Sequence, residues 1–160
     1  MAQDGLELDE TDKGILQLLQ HDARNYTTKE IGDAVGVSDT TVSNRIAALE
    51  SEGVIEGYTV ELDFERIGVN PKMLLVCTAP ASEREALAEK AIEMDGVTEV
   101  RTVLAGERNL HVTTVGRSIA ELSEISQRLE GIGLDLLDSG VVKSAHRCPF
   151  DHLGDDAVNP

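Results

Sequence analysis

With 160 residues and 41% hydrophobic content, the chain can bury one ordinary core or two small ones. No apolar run approaches the roughly 20 residues that a membrane-spanning helix needs, and the two cysteines, Cys77 and Cys148, stand in unlike contexts that make no disulfide framework. The formal charge of −16 excludes an ordinary basic footprint for a polyanion. The opening residues MAQDGLELDE are acidic where a secretory signal is basic and then apolar, so a reducing, cytoplasmic location is expected.

Residues 8–24, LDETDKGILQLLQHDAR, predict a first helix. Asp9 can cap it, Leu8 can staple to its first turns, and Ile15, Leu18 and Leu19 form its apolar stripe. Asp9, Glu10 and Asp12 suit the positive end of its dipole. A second helix opens at the capping box Thr27/Glu30, carries Ile31, Ala34 and Val35 inward, and stops at Gly36, which can take the left-handed conformation. After a short turn at Val37, Ser38 caps a third helix whose apolar residues Val42, Ile46 and Leu49 share one face. Its other side begins with Asp39, Thr40, Thr41, Ser43 and Asn44. Small hydrogen-bonding residues at that end are what a helix-turn-helix requires, because the recognition helix enters the DNA major groove by its N-terminal residues. Gly53 ends this helix, and residues 55–70, with Ile55, Tyr58, Val60 and Leu62 in partial alternation, predict a short wing strand and a linker.

Pro71 marks a boundary. KMLLVCTAP is an apolar run of strand length, and SEREALAEKAIEM predicts a helix opened by a Ser82/Glu85 capping box. Strands are expected over Val97–Leu104 and Leu110–Val115, joined by the tight loop Ala105–Asn109 with Gly106 at its turn. Ser118, with Glu121, opens a last helix striped by Leu122, Ile125, Leu129 and Ile132, and LDLLDSGVVKSA is the final strand. The order βαββαβ predicts a ferredoxin-like sandwich with both helices on one face of an antiparallel sheet. The fold class is therefore α+β: a helix-turn-helix domain over 1–54, wing and linker over 55–70, a ferredoxin-like domain over 71–145 and a tail over 146–160. A half-covered sheet leaves an apolar face, so a homodimer through this domain is expected.

The acidity is concentrated where DNA should bind. Residues 1–70 hold 5 Lys+Arg against 15 Asp+Glu, a net of −10; the remainder holds 9 against 15, a net of −6. One reading is that the module no longer binds DNA. The other is that the protein works in molar salt, where the Debye length shrinks to about 3 Å and self-repulsion is screened; scarce Lys, abundant Asp and Glu and few aromatics fit a halophile. That second reading predicts binding that depends weakly on salt, or needs it.

His146, Cys148 and His152 lie close together in HRCPFDH after the last strand. Imidazole and thiolate at this spacing suit a transition metal or a redox sensor, although no standard zinc pattern is matched and Pro149 restricts the backbone; a tail packed through Phe150 is the alternative. Cys77, inside an apolar strand, reads as a small core residue. His21 suits a helix C-terminus, His111 alternates on a strand, and neither has a catalytic partner in the sequence.

Several signatures in order, LDETDKGIL, DAR at 22–24, VGVSDTTVSNRIAALESEGVIEGYTVELD and the Gly106 loop between two strands, give the chain from Leu8 to about Lys143 a family resemblance. It resembles the Lrp/AsnC, or feast/famine, transcription regulators, and its composition suggests a halophilic archaeal member. The resemblance implies no enzyme and no cofactor, but a homodimer, assembling further to tetramer or octamer, on pseudo-palindromic double-stranded promoter DNA. Carried over, Ser38, Thr40, Thr41, Ser43, Asn44 and Arg45 are the positions that touch DNA. Asn44 is suited to reading adenine with its amide, and Arg45 to gripping phosphate or bracing the helix, with a surface ion pair as the alternative. The same resemblance implies a small-molecule effector, an amino acid or related metabolite, near Gly106, Glu107, Arg108 and Asn109. Where the family has Gly-x-x-Asp this chain ends in Asn109, which removes a charge for an ammonium group; Arg108 and Asn109 would instead orient a carboxylate or amide, unless the residues form only a turn. Siroheme decarboxylases, which resemble the same two-domain arrangement, are the enzymatic alternative; their Pro-Tyr-Asn run is missing here, where the chain has two Tyr and no Trp.

Overall fold

The computed structural model describes residues 7–150. It contains helices α1 (Glu10–Asp22), α2 (Thr28–Val35) and α3 (Asp39–Ser51), strand β1 (Lys72–Thr78), helix α4 (Arg84–Ile92), strands β2 (Val97–Thr102) and β3 (Leu110–Val115), helix α5 (Ile119–Gly131) and strand β4 (Asp135–Val141). None of these helices is long and apolar enough to cross a membrane. The described residues divide into two compact units, one of residues 7–60 together with 146–150 and one of residues 61–145.

The first unit is a three-helix core built on local signals. Asp9 caps α1, its side chain accepting the Asp12 N–H at 2.9 Å while Asp12 accepts the Asp9 N–H at 3.2 Å. The same reciprocal box joins Thr27 and Glu30 at the start of α2. Gly36, at φ +79, closes α2 in the left-handed conformation, with its N–H and that of Val37 donating to the Gly32 carbonyl. Ile15, Leu18, Ile31, Val42 and Leu49 form the buried centre, with Ile46, Leu19 and Val35 packed against it. Fully burying each such side chain stabilises by about 1.5–3 kcal/mol.

Residues 55–70 do not form the expected wing strand. Beyond Ile55 the chain is irregular, then turns over 64–68 with the Val69 N–H donating to the Phe64 carbonyl. Tyr58, Val60 and Leu62 are exposed. Alternation describes which side of an extended segment is apolar, but a strand also needs a ladder partner, and the single chain brings none here.

The second unit is the four-stranded antiparallel sheet expected from the βαββαβ order, with strand order β2-β3-β1-β4. Leu75 and Cys77 of β1 and Leu110 and Val112 of β3 meet Leu87 and Ala91 of α4 and Leu122, Ile125 and Leu129 of α5. Leu74 and Val76, which alternate with these core residues along β1, lie on the face that no helix covers. The Ser82/Glu85 box is not made. The Glu83 N–H donates to the Pro80 carbonyl, and the turn leaves Ser82 one residue before the N-cap, which is Glu83, so α4 starts without a side-chain cap. Ser118 does cap α5, while Glu121 accepts the N–H of Arg117 instead of that of Ser118. Strand β2 ends at Thr102, two residues short of the expected Leu104.

Candidate nucleic-acid interface

Helix α3 is presented by its packing. Val42 and Leu49 are buried against α1 and α2, which turns Thr40, Ser43 and Asn44 to the outside. Gly32 sets how closely α2 approaches the start of α3: a Cβ at that position would lie 2.6 Å from the Val37 carbonyl oxygen and 3.4 Å from the Asp39 nitrogen. Only glycine permits this contact.

The six candidate residues divide by what their side chains already do. Ser38 is the N-cap, accepting the Thr41 N–H at 3.1 Å, and its hydroxyl also bonds that of the half-buried Thr41 at 2.8 Å. Ser43 donates to the Asp39 carbonyl at 3.1 Å and keeps acceptor capacity toward solvent. Asp39 accepts the Thr40 N–H at 2.7 Å, consistent with a carboxylate serving the helix N-terminus. Asn44 is exposed, and among the described residues its amide makes no hydrogen bond.

Arg45 behaves otherwise. Its Nη2 lies 2.8 Å from Asp9 Oδ2 and its Nη1 3.2 Å from Asp12 Oδ2, so the guanidinium bridges both carboxylates of the α1 capping box. These ion pairs are those of the bracing alternative: the arginine joins α3 to the head of α1. The backbone N–H of Asp12 holds the Asp9 carboxyl below its ordinary value; partial burial opposes this, and the charge of Arg45 adds to the lowering.

At the other end of α3, the Tyr58 hydroxyl lies 3.0 Å from Glu50 Oε1, and burial, followed by the neighbouring carboxylate, raises the phenol's pKa. The tail returns to α1, where the Phe150 N–H donates to Gln20 Oε1 at 2.9 Å. Neither contact had a signal in the sequence, because each joins residues whose proximity depends on the assembled helices. His146 and Cys148 are exposed, His152 lies outside the described residues, and no group of three potential metal ligands occurs among the described residues. Phe150 is exposed, and its backbone N–H is held by Gln20.

In the second unit the loop after β2 is fixed at both ends. Arg84 Nη1 donates to the Val103 and Leu104 carbonyls at 2.7 and 3.2 Å. Asn109 is buried, its Oδ1 accepting the Ala79 N–H at 3.0 Å and its Nδ2 donating to the Ala79 carbonyl at 2.9 Å. Asn109, expected as an effector ligand, is a buried strut that joins the end of β1 to the start of β3 through both polar atoms of its amide. Gly106, at φ +98, Glu107 and Arg108 are exposed, and Arg108 Nη1 stands 3.9 Å from Asp138 Oδ2.

Residues 8–56 match a family profile described as winged helix-turn-helix DNA-binding. The chain is 35% identical over 121 residues to the helix-turn-helix transcriptional regulator LrpA of Pyrococcus horikoshii, an alignment that covers 74% of this chain and 82% of the relative. It shares 40% identity over 96 residues with LrpA of Pyrococcus abyssi, 58% of this chain and 65% of that one. Its fold is similar to that of the leucine response regulatory protein LrpA of Mycobacterium tuberculosis, with a TM-score of 0.76 at 22% identity over 89% of this chain and 97% of the other. E. coli AsnC aligns with a TM-score of 0.68 at 20% identity, over 89% and 96%. These curated relatives are named as regulators, which leaves the siroheme decarboxylase alternative without support. The chain belongs to the Lrp/AsnC family of helix-turn-helix transcriptional regulators: it is a DNA-binding regulator and not an enzyme.

Proposed function

We propose that this regulator acts as a homodimer that presents two copies of α3, about one helical turn of DNA apart, to a pseudo-palindromic promoter site. Thr40, Ser43 and Asn44 make the base-edge contacts, while Ser38 and Thr41 hold the start of the helix. The observation that carries this reading is Asn44: an exposed amide on the presented side of α3, with both its donor and its acceptor uncommitted among the described residues. A free amide of this kind can pair bidentately with adenine.

The second unit supplies the dimer and the sensor. Leu74 and Val76 give its open sheet face apolar character, and a second copy would cover it. A small metabolite carrying a carboxylate or amide binds beside Gly106, Glu107 and Arg108, the exposed part of a loop whose ends are held by Arg84 and Asn109.

The test is fluorescence anisotropy with a labelled duplex taken from upstream of the protein's own coding sequence, and with an unrelated duplex of equal length. Asn44→Ala is expected to weaken the first by about 1–3 kcal/mol, or roughly 5- to 150-fold, and to leave the second unchanged. Equal binding of wild type and variant to the upstream duplex would remove the proposed interface. Because residues 1–70 carry a net charge of −10, the affinity should also vary far less with salt than the steep loss of a basic domain.

A further inference from the structure

Phosphate contacts position a helix-turn-helix on the duplex before any base is read, and in this chain very few cations are available to make them. Residues 7–60 contain four: Lys13, Arg24, Lys29 and Arg45. Lys13 is tied to Glu10 at 2.6 Å, and Arg45 is spent on Asp9 and Asp12. Arg24 sits beside Asp22, whose carboxylate accepts the Arg24 backbone N–H at 3.1 Å and feels its charge, while the guanidinium itself makes no hydrogen bond or ion pair among the described residues. The Lys29 ammonium likewise has no hydrogen bond or ion pair among the described residues, although Asp33 stands four residues on in the same helix.

The position of Lys29 is as telling as its freedom. It lies in the first turn of α2, three residues before Gly32, and so shares the face by which α2 meets the start of α3. Helical side chains lean toward the N-terminus, so Lys29 projects from the end of α2. In a helix-turn-helix the helix preceding the recognition helix is the one that crosses the DNA backbone. We propose that Lys29 is the phosphate anchor of this domain, an uncommitted ammonium placed on α2 to seat that helix on the backbone while α3, which offers no free cation of its own, reads bases. This rests on the DNA-reading role given above to α3.

The role is tested on the full chain by anisotropy, using the same upstream and unrelated duplexes over a salt series. Lys29→Ala should weaken both duplexes by a similar several-fold factor and should flatten the slope of log affinity against log salt by about 0.9, the share of one phosphate. Lys29→Arg should restore binding, and Lys29→Glu should weaken it further. Lys29 is exposed and alanine is a better helix former, so circular dichroism of the variant should match wild type. Unchanged affinity and slope in Lys29→Ala, or a loss confined to the upstream duplex, would overturn the assignment while an effect of Asn44→Ala left the reading of α3 standing. Failure of the wild type to bind either duplex would overturn both.

Discussion

Arg45 of α3 is bound to Asp9 at the head of α1, with Nη2 2.8 Å from Oδ2. The pair joins the helix proposed to read DNA to the first residues of the core. The Asp9 carboxyl lies below its ordinary value of 3.8, so its contribution to stability is fully present above that value and is lost as pH falls through the lowered one. Asn also caps helices well, which makes Asp9→Asn a clean comparison: it keeps the cap and removes both the charge and the titration. Melting temperatures measured from about pH 6 to about pH 2.5 should show the variant less stable at the upper end and the two proteins converging at the lower. A constant difference across that range would contradict the assignment. Both side chains are more than a third exposed, so the effect should be small and should shrink further in high salt.

Gly32→Ala should reverse the usual helical preference. Replacing Gly by Ala inside a helix ordinarily stabilises by about 1 kcal/mol. Here the new Cβ would meet the Val37 carbonyl at 2.6 Å, a backbone atom that cannot swing aside. A loss of about 1–3 kcal/mol in chemical denaturation is expected, with DNA affinity falling as α3 is displaced. A variant as stable as wild type would mean that the turn at Val37 yields freely.

Asn109→Ala should cost about 2–4 kcal/mol, since it strands the buried N–H and carbonyl of Ala79. Asn109→Asp keeps the acceptor for the N–H but faces the carbonyl with a second acceptor, so it should be destabilised too, despite near-identical shape. Calorimetry on both variants checks this. If Asn109→Asp melts like wild type, the strut is less important than its geometry indicates.

The two thiols should react very differently. Burial, and then the charge of Glu130, pushes the Cys77 thiol up to about 11, and the residue is 1% exposed, whereas Cys148 is exposed. Ellman's reagent at about pH 8 should therefore titrate one thiol per native chain and two after denaturation, because thiolate is the reactive form. Rapid labelling of both in the native protein would contradict the packing of β1.

Much of the fold was legible in the sequence because its signals are local. A capping box needs only residues three apart, as at Asp9/Asp12 and Thr27/Glu30; an apolar stripe needs only the helical period, as in Leu122, Ile125 and Leu129. The boundaries that moved did so where a neighbour decided them. Ser82 lost its cap to a turn closed by Pro80, and the segment around Tyr58 and Val60 stayed irregular for want of a ladder partner.

By itself the sequence determined the helix-turn-helix, the βαββαβ order, the face of α3 that carries Thr40, Ser43 and Asn44, and the acidity against which any DNA contact must be made. Only the tertiary structure decided which of those polar groups are free. Arg45 is drawn to carboxylates 33 and 36 residues away, Asn109 is turned inward onto a backbone 30 residues away, and Lys29 is left without a partner beside an available acid. The physical reason is reach. Secondary structure is set by neighbours within about a helical turn, but the partner of a long polar side chain is whichever group the packing of distant elements brings within about 3 Å of it.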